Sequence, residues 1–398
     1  MHLFNTQSQA KELVTDPSGK LGIYVCGITP YDTTHAGHVF TFLTFDILIR
    51  LLRYLDFDVT YVQNVTDIDD DVLRKAKELG TTWDELGKRE TAKFLTDLRD
   101  LNALSPDYYL NATDHITEMI EIIESLIAKK YAYVSNGSVY FDVESDPSFG
   151  KLSRLKKSEM LSIANERGNN PDDPNKRQPL DFVLWQAAAP NEPTWASPWG
   201  AGRPGWHIEC SAMATKYLGN TVDIHGGGED LIFPHHECEI AQTENATGEE
   251  PFVRYWMHVG MVRYQGEKMS KSLGNLVLAR DLLNSHSADA VRLYLFSHHY
   301  RTSWEYVDEE VDEWVRLADD LRESVAFPAF GIEEIVDVEI YRERFLNAMQ
   351  DDLDTPSAID ALRDIAQAIL EAPEEDDVRD AQETLRELST ILGLTLND

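Results

Sequence analysis

The tetrapeptide His35-Ala36-Gly37-His38 sets two imidazoles around a glycine. Where such a segment passes from a strand into a helix, backbone N–H groups and the positive helix end face a phosphate. Gly37 then allows close approach of a nucleotide, and His35 and His38 can contact phosphate oxygens as charge develops. Taken alone the tetrapeptide has little specificity. Further along, Lys268-Met269-Ser270-Lys271-Ser272 places two lysines among small hydroxyl residues, between Gly266 and Gly274. Lys268 and Lys271 there form a cationic clamp suited to a pyrophosphate leaving group. Together the two motifs could serve one nucleotide, with Gly37, Lys268 and Lys271 binding it and His35, His38, Lys268 and Lys271 stabilising developing charge.

A second chemistry sits on the cysteines, of which there are three: Cys26, Cys210 and Cys238. So few argue against a disulfide framework and fit a reducing compartment. The block GGGEDLIFPHHECEIAQ offers His235, His236, Glu237, Cys238 and Glu239. His235 and Glu239 are four residues apart, so on a helix they project from one face, and the distant Cys26 and Cys210 can complete a tetrahedral set around one zinc ion. Cys238, three residues after His235, is the alternative to Glu239 at that ion.

These residues must be positioned by an α/β scaffold. LGIYVCGITP, residues 21–30, reads as a buried strand ending in the breakers Gly27 and Pro30. HAGHVFTFLTFDILIRLLRYL then keeps apolar residues at helical spacing, and DFDVTYVQNV returns to strand character. Strand, helix and strand form a parallel crossover unit, the start of a doubly wound sheet whose ligands gather at the carboxyl ends of the strands. Residues 26–38 and 64–70 fall there. The expected organisation is a catalytic domain over 1–275, with an inserted or connecting segment around 83–205. The charged stretch from Trp83 to Leu126 reads as helical, and the Pro, Gly and Asn-rich run from Asn169 to Gly205 reads as loop. After Asn275 the pattern is helical, giving a C-terminal helical region and bundle over 276–398.

Composition bounds the rest. The 398 residues are 42% hydrophobic, enough for a large core, and carry 70 acidic against 36 basic side chains for a net charge of −34. That surface repels phosphate polyanions unless a local basic patch exists, which argues against a DNA partner; it equally suits a salt-adapted or very soluble protein. The richest apolar segment, Phe40 to Leu52, is broken by Asp46 and Arg50, so no membrane span is expected. The first residues, MHLFNTQSQAKELV, lack a secretory pattern, and a cytoplasmic location is expected.

The two phosphate motifs resemble the HIGH and KMSKS signatures of class I aminoacyl-tRNA synthetases. The collinear segments YVCGITPYDTTHAGH, YVQNVTDIDD, WASPWGAGRPGWHIECSAM, DIHGGGEDLIFPHHECEIAQ, GEKMSKSLGN and DDLDTP resemble the cysteinyl-tRNA synthetase family specifically, which includes the related mycothiol cysteine ligases. The resemblance implies a Rossmann-like catalytic domain that makes cysteinyl-adenylate from L-cysteine and ATP. It matches Cys26, Cys210, His235 and Glu239 to the zinc ligands and Trp206 to an aromatic residue that closes over bound cysteine. Gly27, Thr29 and Thr66 fall near the amino acid, while His225, Gly227 and Asp230 fall in the segment lining the adenosine. For the acceptor, CGITPYD and HHYRTSWEY look closer to the mycothiol ligases, and Glu239, IECSAM and HHECEIAQ to the tRNA enzymes. The expected acceptor is the amine of glucosaminyl-inositol, because residues 276–398 suffice for a stem-contact region and helical bundle but not for a separate anticodon-reading domain, with the acidic chain as weaker support and cysteine tRNA as the alternative. A catalytically silent adenylate-binding regulator is a third reading, and the motifs show none of the damage it requires.

Overall fold

The computed structural model describes residues 1–31, 34–269 and 274–397, with Lys268 described by its backbone alone. Strand β1 (Lys20–Ile28) leads through helix α1 (Ala36–Tyr54) to β2 (Asp58–Val65), and β3 (Tyr108–Asn111), β4 (Val222–Gly228) and β5 (Val253–Val259) complete a five-stranded sheet. Its order is β5-β4-β1-β2-β3 and every neighbouring pair is parallel. The order reverses between β1 and β4, and the crevice at such a switch point, beyond the carboxyl ends of the strands, is where doubly wound sheets bind ligands. Helix α2 (Trp206–Leu218) precedes β4, and α3 (Glu237–Thr247) joins β4 to β5. Helix α1 is apolar nearly all round: Phe40, Leu43, Phe45, Ile47, Leu48 and Leu51 are all buried, because the sheet covers one side and C-terminal helices the other.

Two stretches depart from the sequence expectation. Between helices Trp83–Asp100 and Ile116–Ala128 lies β3, an edge strand of the central sheet, so the expected insertion from residue 83 contains part of the core scaffold. Four residues are too few to carry a period. The run from Asn169 to Gly205 is not all loop either: Phe182–Ala187 and Gly202–Pro204 pair antiparallel with each other, and the longer strand also pairs with the hairpin Ala132–Ser135 and Ser138–Phe141. The breakers flank FVLWQA rather than interrupt it. After residue 275 come α4 (Ala288–Phe296), α5 (Val311–Ala326), α6 (Glu339–Gln350), α7 (Thr355–Leu370) and α8 (Arg379–Ile391), which pack on one another and on α1. Among the described residues no helix is long and apolar enough to cross a membrane.

Candidate active site and metal centre

At the end of β1 the chain approaches β2 so closely that a Cβ on Gly27 would lie 1.5 Å from the Asn64 carbonyl oxygen. The Gly27 N–H donates to Asn64 Oδ1 at 2.9 Å. This pins Cys26, whose Sγ is 3.7 Å from Cys210 Sγ on α2 and 3.7 Å from Glu239 Oε1 on α3. His235, in the tight turn just before α3, places Nε2 2.9 Å from the same Oε1. The donor atoms of Cys26, Cys210, His235 and Glu239 all lie within 4.8 Å of one another, and all four residues are buried. A second grouping keeps Cys26 and Glu239 and adds His225 and His236, whose Nε2 atoms stand 3.4 and 3.3 Å from Cys26 Sγ.

The electrostatics of this cluster suit a cation. Burial pushes the Glu239 carboxyl well above its ordinary range, and Glu239 Oε2 has no hydrogen-bond partner among the described residues. Burial, reinforced by Cys210 and Glu239, likewise raises the Cys26 thiol. The Cys210 thiol is drawn down to about 7; burial opposes the shift, and Cys26 and His235 outweigh it. Anionic donors held out of water need a positive partner. Two sulfurs, an imidazole and a carboxylate suit a borderline-soft divalent ion such as zinc. Outer hydrogen bonds orient the rings: His235 Nδ1 is 3.0 Å from His207 Nδ1, and His236 Nδ1 is 2.7 Å from His258 Nε2, whose Nδ1 meets Thr6 Oγ1 at 2.7 Å.

The HAGH segment caps α1. His35 Nδ1 accepts from the Gly37 N–H at 3.1 Å, and its ring stacks on His38 with centroids 3.8 Å apart. The Ala36 N–H donates to Val277 O at 2.8 Å and the Ala279 N–H to Thr34 O at 3.0 Å, so the chain leaving the second motif runs beside the first. Entry into that motif is a hairpin, Val262–Tyr264 against Glu267–Lys268, turned by Gln265 and Gly266 at φ of 59° and 79°. Such left-handed pairs suit two-residue hairpin loops. Ser270, Lys271 and Ser272 lie outside the described residues, as does the Lys268 side chain.

This architecture matches known proteins closely. The tRNA synthetases class I (C) catalytic domain family matches residues 13–316, and the DALR domain family matches 344–397. A cysteine--tRNA ligase of Dehalococcoides mccartyi is 43% identical over 401 residues, covering 100% of this chain and 87% of its own. One from Haemophilus influenzae is 45% identical over 405 residues, covering 100% and 86%. The chain belongs to the cysteinyl-tRNA synthetase family. As a member it is an ATP-dependent ligase of the aminoacyl-tRNA synthetase kind. The fold reaches further: a Mycobacterium tuberculosis methionyl-tRNA synthetase in complex with methionyl-adenylate superposes with a TM-score of 0.65 at 16% identity, over 94% of this chain and 89% of that one.

Within this synthetase frame the remaining expected residues take definite places. Trp206, at the start of α2, stacks on His235 with centroids 4.3 Å apart. Thr66 is buried at the end of β2, its N–H bonded to Ile28 O, and Thr29 is half-buried just beyond β1. Gly227 packs against Leu231 and the Cys26 Cβ, and Asp230 follows β4, its carbonyl accepting from Arg167. His225 departs from the expected adenosine lining. It is fully buried, beside Cys26 and Glu239, because alternate residues of β4 face opposite sides: a Cβ on Gly226 would meet Phe45 of α1, whereas His225 and Gly227 share the side of Cys26. Cys238 lies in the apolar core and in neither donor grouping. Sequence reasoning offered His236 in its histidine-rich block but assigned it no role, and it passed over His207, His258 and Thr6, which nothing in their local spacing singles out.

Proposed function

We propose that this chain is a cysteine--tRNA ligase of the cytoplasm, activating L-cysteine with Mg-ATP and esterifying it to tRNA. The observation that carries this reading is the buried Cys26, Cys210, His235 and Glu239 set at the sheet's switch point. Those four residues would hold zinc, which supplies a coordination position that a thiolate fills strongly and a serine hydroxyl poorly. Trp206 covers the set from the start of α2. The cysteine carboxylate attacks the α-phosphorus of ATP in line, the bond to the β-phosphate oxygen breaks, and pyrophosphate departs. His35 and His38, stacked at the N-terminus of α1, face the triphosphate, with Lys268 and Lys271 as the cationic clamp on the leaving group. A tRNA hydroxyl then attacks the adenylate carbonyl and AMP leaves. Positioning and charge stabilisation carry both steps.

The acceptor is a correction to the amino-sugar expectation. Relatives aligned over all or nearly all of the chain at 43% to 47% identity are cysteine--tRNA ligases. The amino-sugar expectation rests first on the lack of a separate anticodon-reading domain; its weaker support, the net charge of −34, is a property of the whole surface, whereas tRNA is held by local contacts. Incubation with ATP, radiolabelled cysteine and either tRNA or glucosaminyl-inositol tests the reading: label is expected on tRNA, and label on the amino sugar alone would overturn it. Metal analysis of Cys210→Ser tests the centre. Most zinc is expected to be lost, and full occupancy with intact cysteine activation would remove the site.

A further inference from the structure

One buried charge in this centre is used by none of the steps above. Glu209 is fully buried on α2, and neither of its carboxylate oxygens makes a hydrogen bond of good geometry among the described residues; the Thr66 hydroxyl is the one donor close by. The other groups around it are Cys210, Asp67 and Asp69, none of them basic. A carboxylate left with one loose donor in the interior is costly unless a ligand supplies more. Its place on the helix identifies the ligand. Trp206, Glu209 and Cys210 stand at positions i, i+3 and i+4 of α2 and so share one side of it. A cysteine whose sulfur binds at the ion on Cys210, beneath Trp206, carries its α-ammonium only three bonds from that sulfur. The ammonium therefore falls within reach of the residue adjacent to Cys210 and of Thr66 at the end of β2.

We infer that Glu209 is the receptor for the α-ammonium of the substrate amino acid, with the Thr66 hydroxyl beside it. This rests on the cysteine-activating reading and adds a second recognition point to it: the metal reads the thiol, and Glu209 reads the amine. The ammonium offers three donors to oxygens that otherwise have only the Thr66 hydroxyl nearby.

The test compares L-cysteine with its des-amino analogue, 3-mercaptopropionate, on zinc-loaded wild-type and Glu209→Gln proteins. Cysteine-dependent pyrophosphate exchange gives the KM for cysteine and the inhibition constant of the analogue. Loss of a charge-assisted hydrogen bond predicts a rise in KM of about 10- to 100-fold, with the analogue's inhibition constant and the zinc content unchanged. A parallel loss for both compounds, or no loss for either, overturns the inference. Should Glu209→Gln not fold, a structure of the wild-type protein with zinc and cysteine decides: an ammonium within about 3.2 Å of a Glu209 oxygen supports it, and an ammonium bonded elsewhere sinks it. Absence of exchange in the wild type would instead overturn the functional reading, and the inference with it.

Discussion

Arg292 on α4 is fully buried, and its replacement by Met should be the most destabilising single change outside the metal centre. Its Nε donates to Leu392 O at 2.7 Å, its Nη1 to Leu101 O at 2.9 Å, and its Nη2 pairs with Asp46 of α1. Methionine preserves much of the stem's packing but no donor, so two buried carbonyls lose their partner at about 1–3 kcal/mol each. Asp46 is cushioned: it keeps both contacts from Arg50 Nε at 3.1 Å and the Leu104 N–H at 2.8 Å. Removing one partner of a buried ion pair costs about 3–5 kcal/mol, and since these terms overlap, roughly 4 kcal/mol is expected. Against a total stability of about 5–15 kcal/mol this is severe. Urea unfolding followed by far-UV circular dichroism should show the midpoint lowered by about 1 M. Exchange activity per folded molecule should be retained in the cold, since no reacting group is touched. A loss below about 1 kcal/mol, or an effect fully additive with Asp46→Asn, would show that the pair is not coupled as the geometry states.

Three further outcomes follow from the site. Serine should be rejected in pyrophosphate exchange by about four orders of magnitude, because the discrimination rests on a metal–sulfur bond rather than on size; comparable rates with serine would exclude thiolate coordination. Lys271→Ala should lower kcat for exchange by about two to three orders of magnitude with a smaller change in ATP affinity, and an unchanged kcat would remove it from the clamp. Burial holds the His258 imidazole down to about 3, against an unfolded value near 6.5, so below that value the unfolded chain takes up a proton that the folded chain refuses. Stability is therefore intact above about pH 6.5 and falls on acidification, by about 2 kcal/mol at pH 5 from this ring alone, with His225 and His236 shifted in the same direction. Unfolding midpoints measured from pH 7.5 to 5 should fall, and a rise would contradict the neutral buried ring.

What could be read in the sequence was what local spacing encodes. The strand, helix and strand from Lys20 to Val65 announce themselves by a change of period and by the breaker Pro30 beyond the first strand, although Gly27, also read as a breaker, lies within β1; His235 and Glu239 announce themselves by their separation. Residues whose partners lie on other strands were illegible in the same text. His258 meets His236 and Thr6 only because α3 leads into β5 and the N-terminal segment packs beside it. His225 was matched only to the segment that lines the adenosine, and the sequence did not tell that GGG continues β4 and that this side chain is fully buried. Glu209 lay inside the family segment IECSAM but carried no signal of its own, since its distinction is how few donors reach it once α2 is packed.

The same packing explains how the helices after residue 275 are held in register with the reaction centre. Helix α1 carries His35 and His38 at one end, while its other half is fastened to the far end of the chain. Arg50 donates to Thr390 O and to Asn102 O, Asn102 Nδ2 donates to Gly393 O, and Tyr54 Oη donates to Glu387 of α8. Gly393 itself is constrained, with φ of +68° and a hypothetical Cβ only 2.2 Å from Arg292 Nη2, so any side chain there would displace the guanidinium from Asp46. Because α1 is a continuous, buried helix of 19 residues, these contacts act at one end of a stiff strut whose other end is the His35 cap proposed to bind phosphate. A substitution at Gly393 should therefore loosen the α8 junction first and reach His35 only through rotation of α1 as a whole.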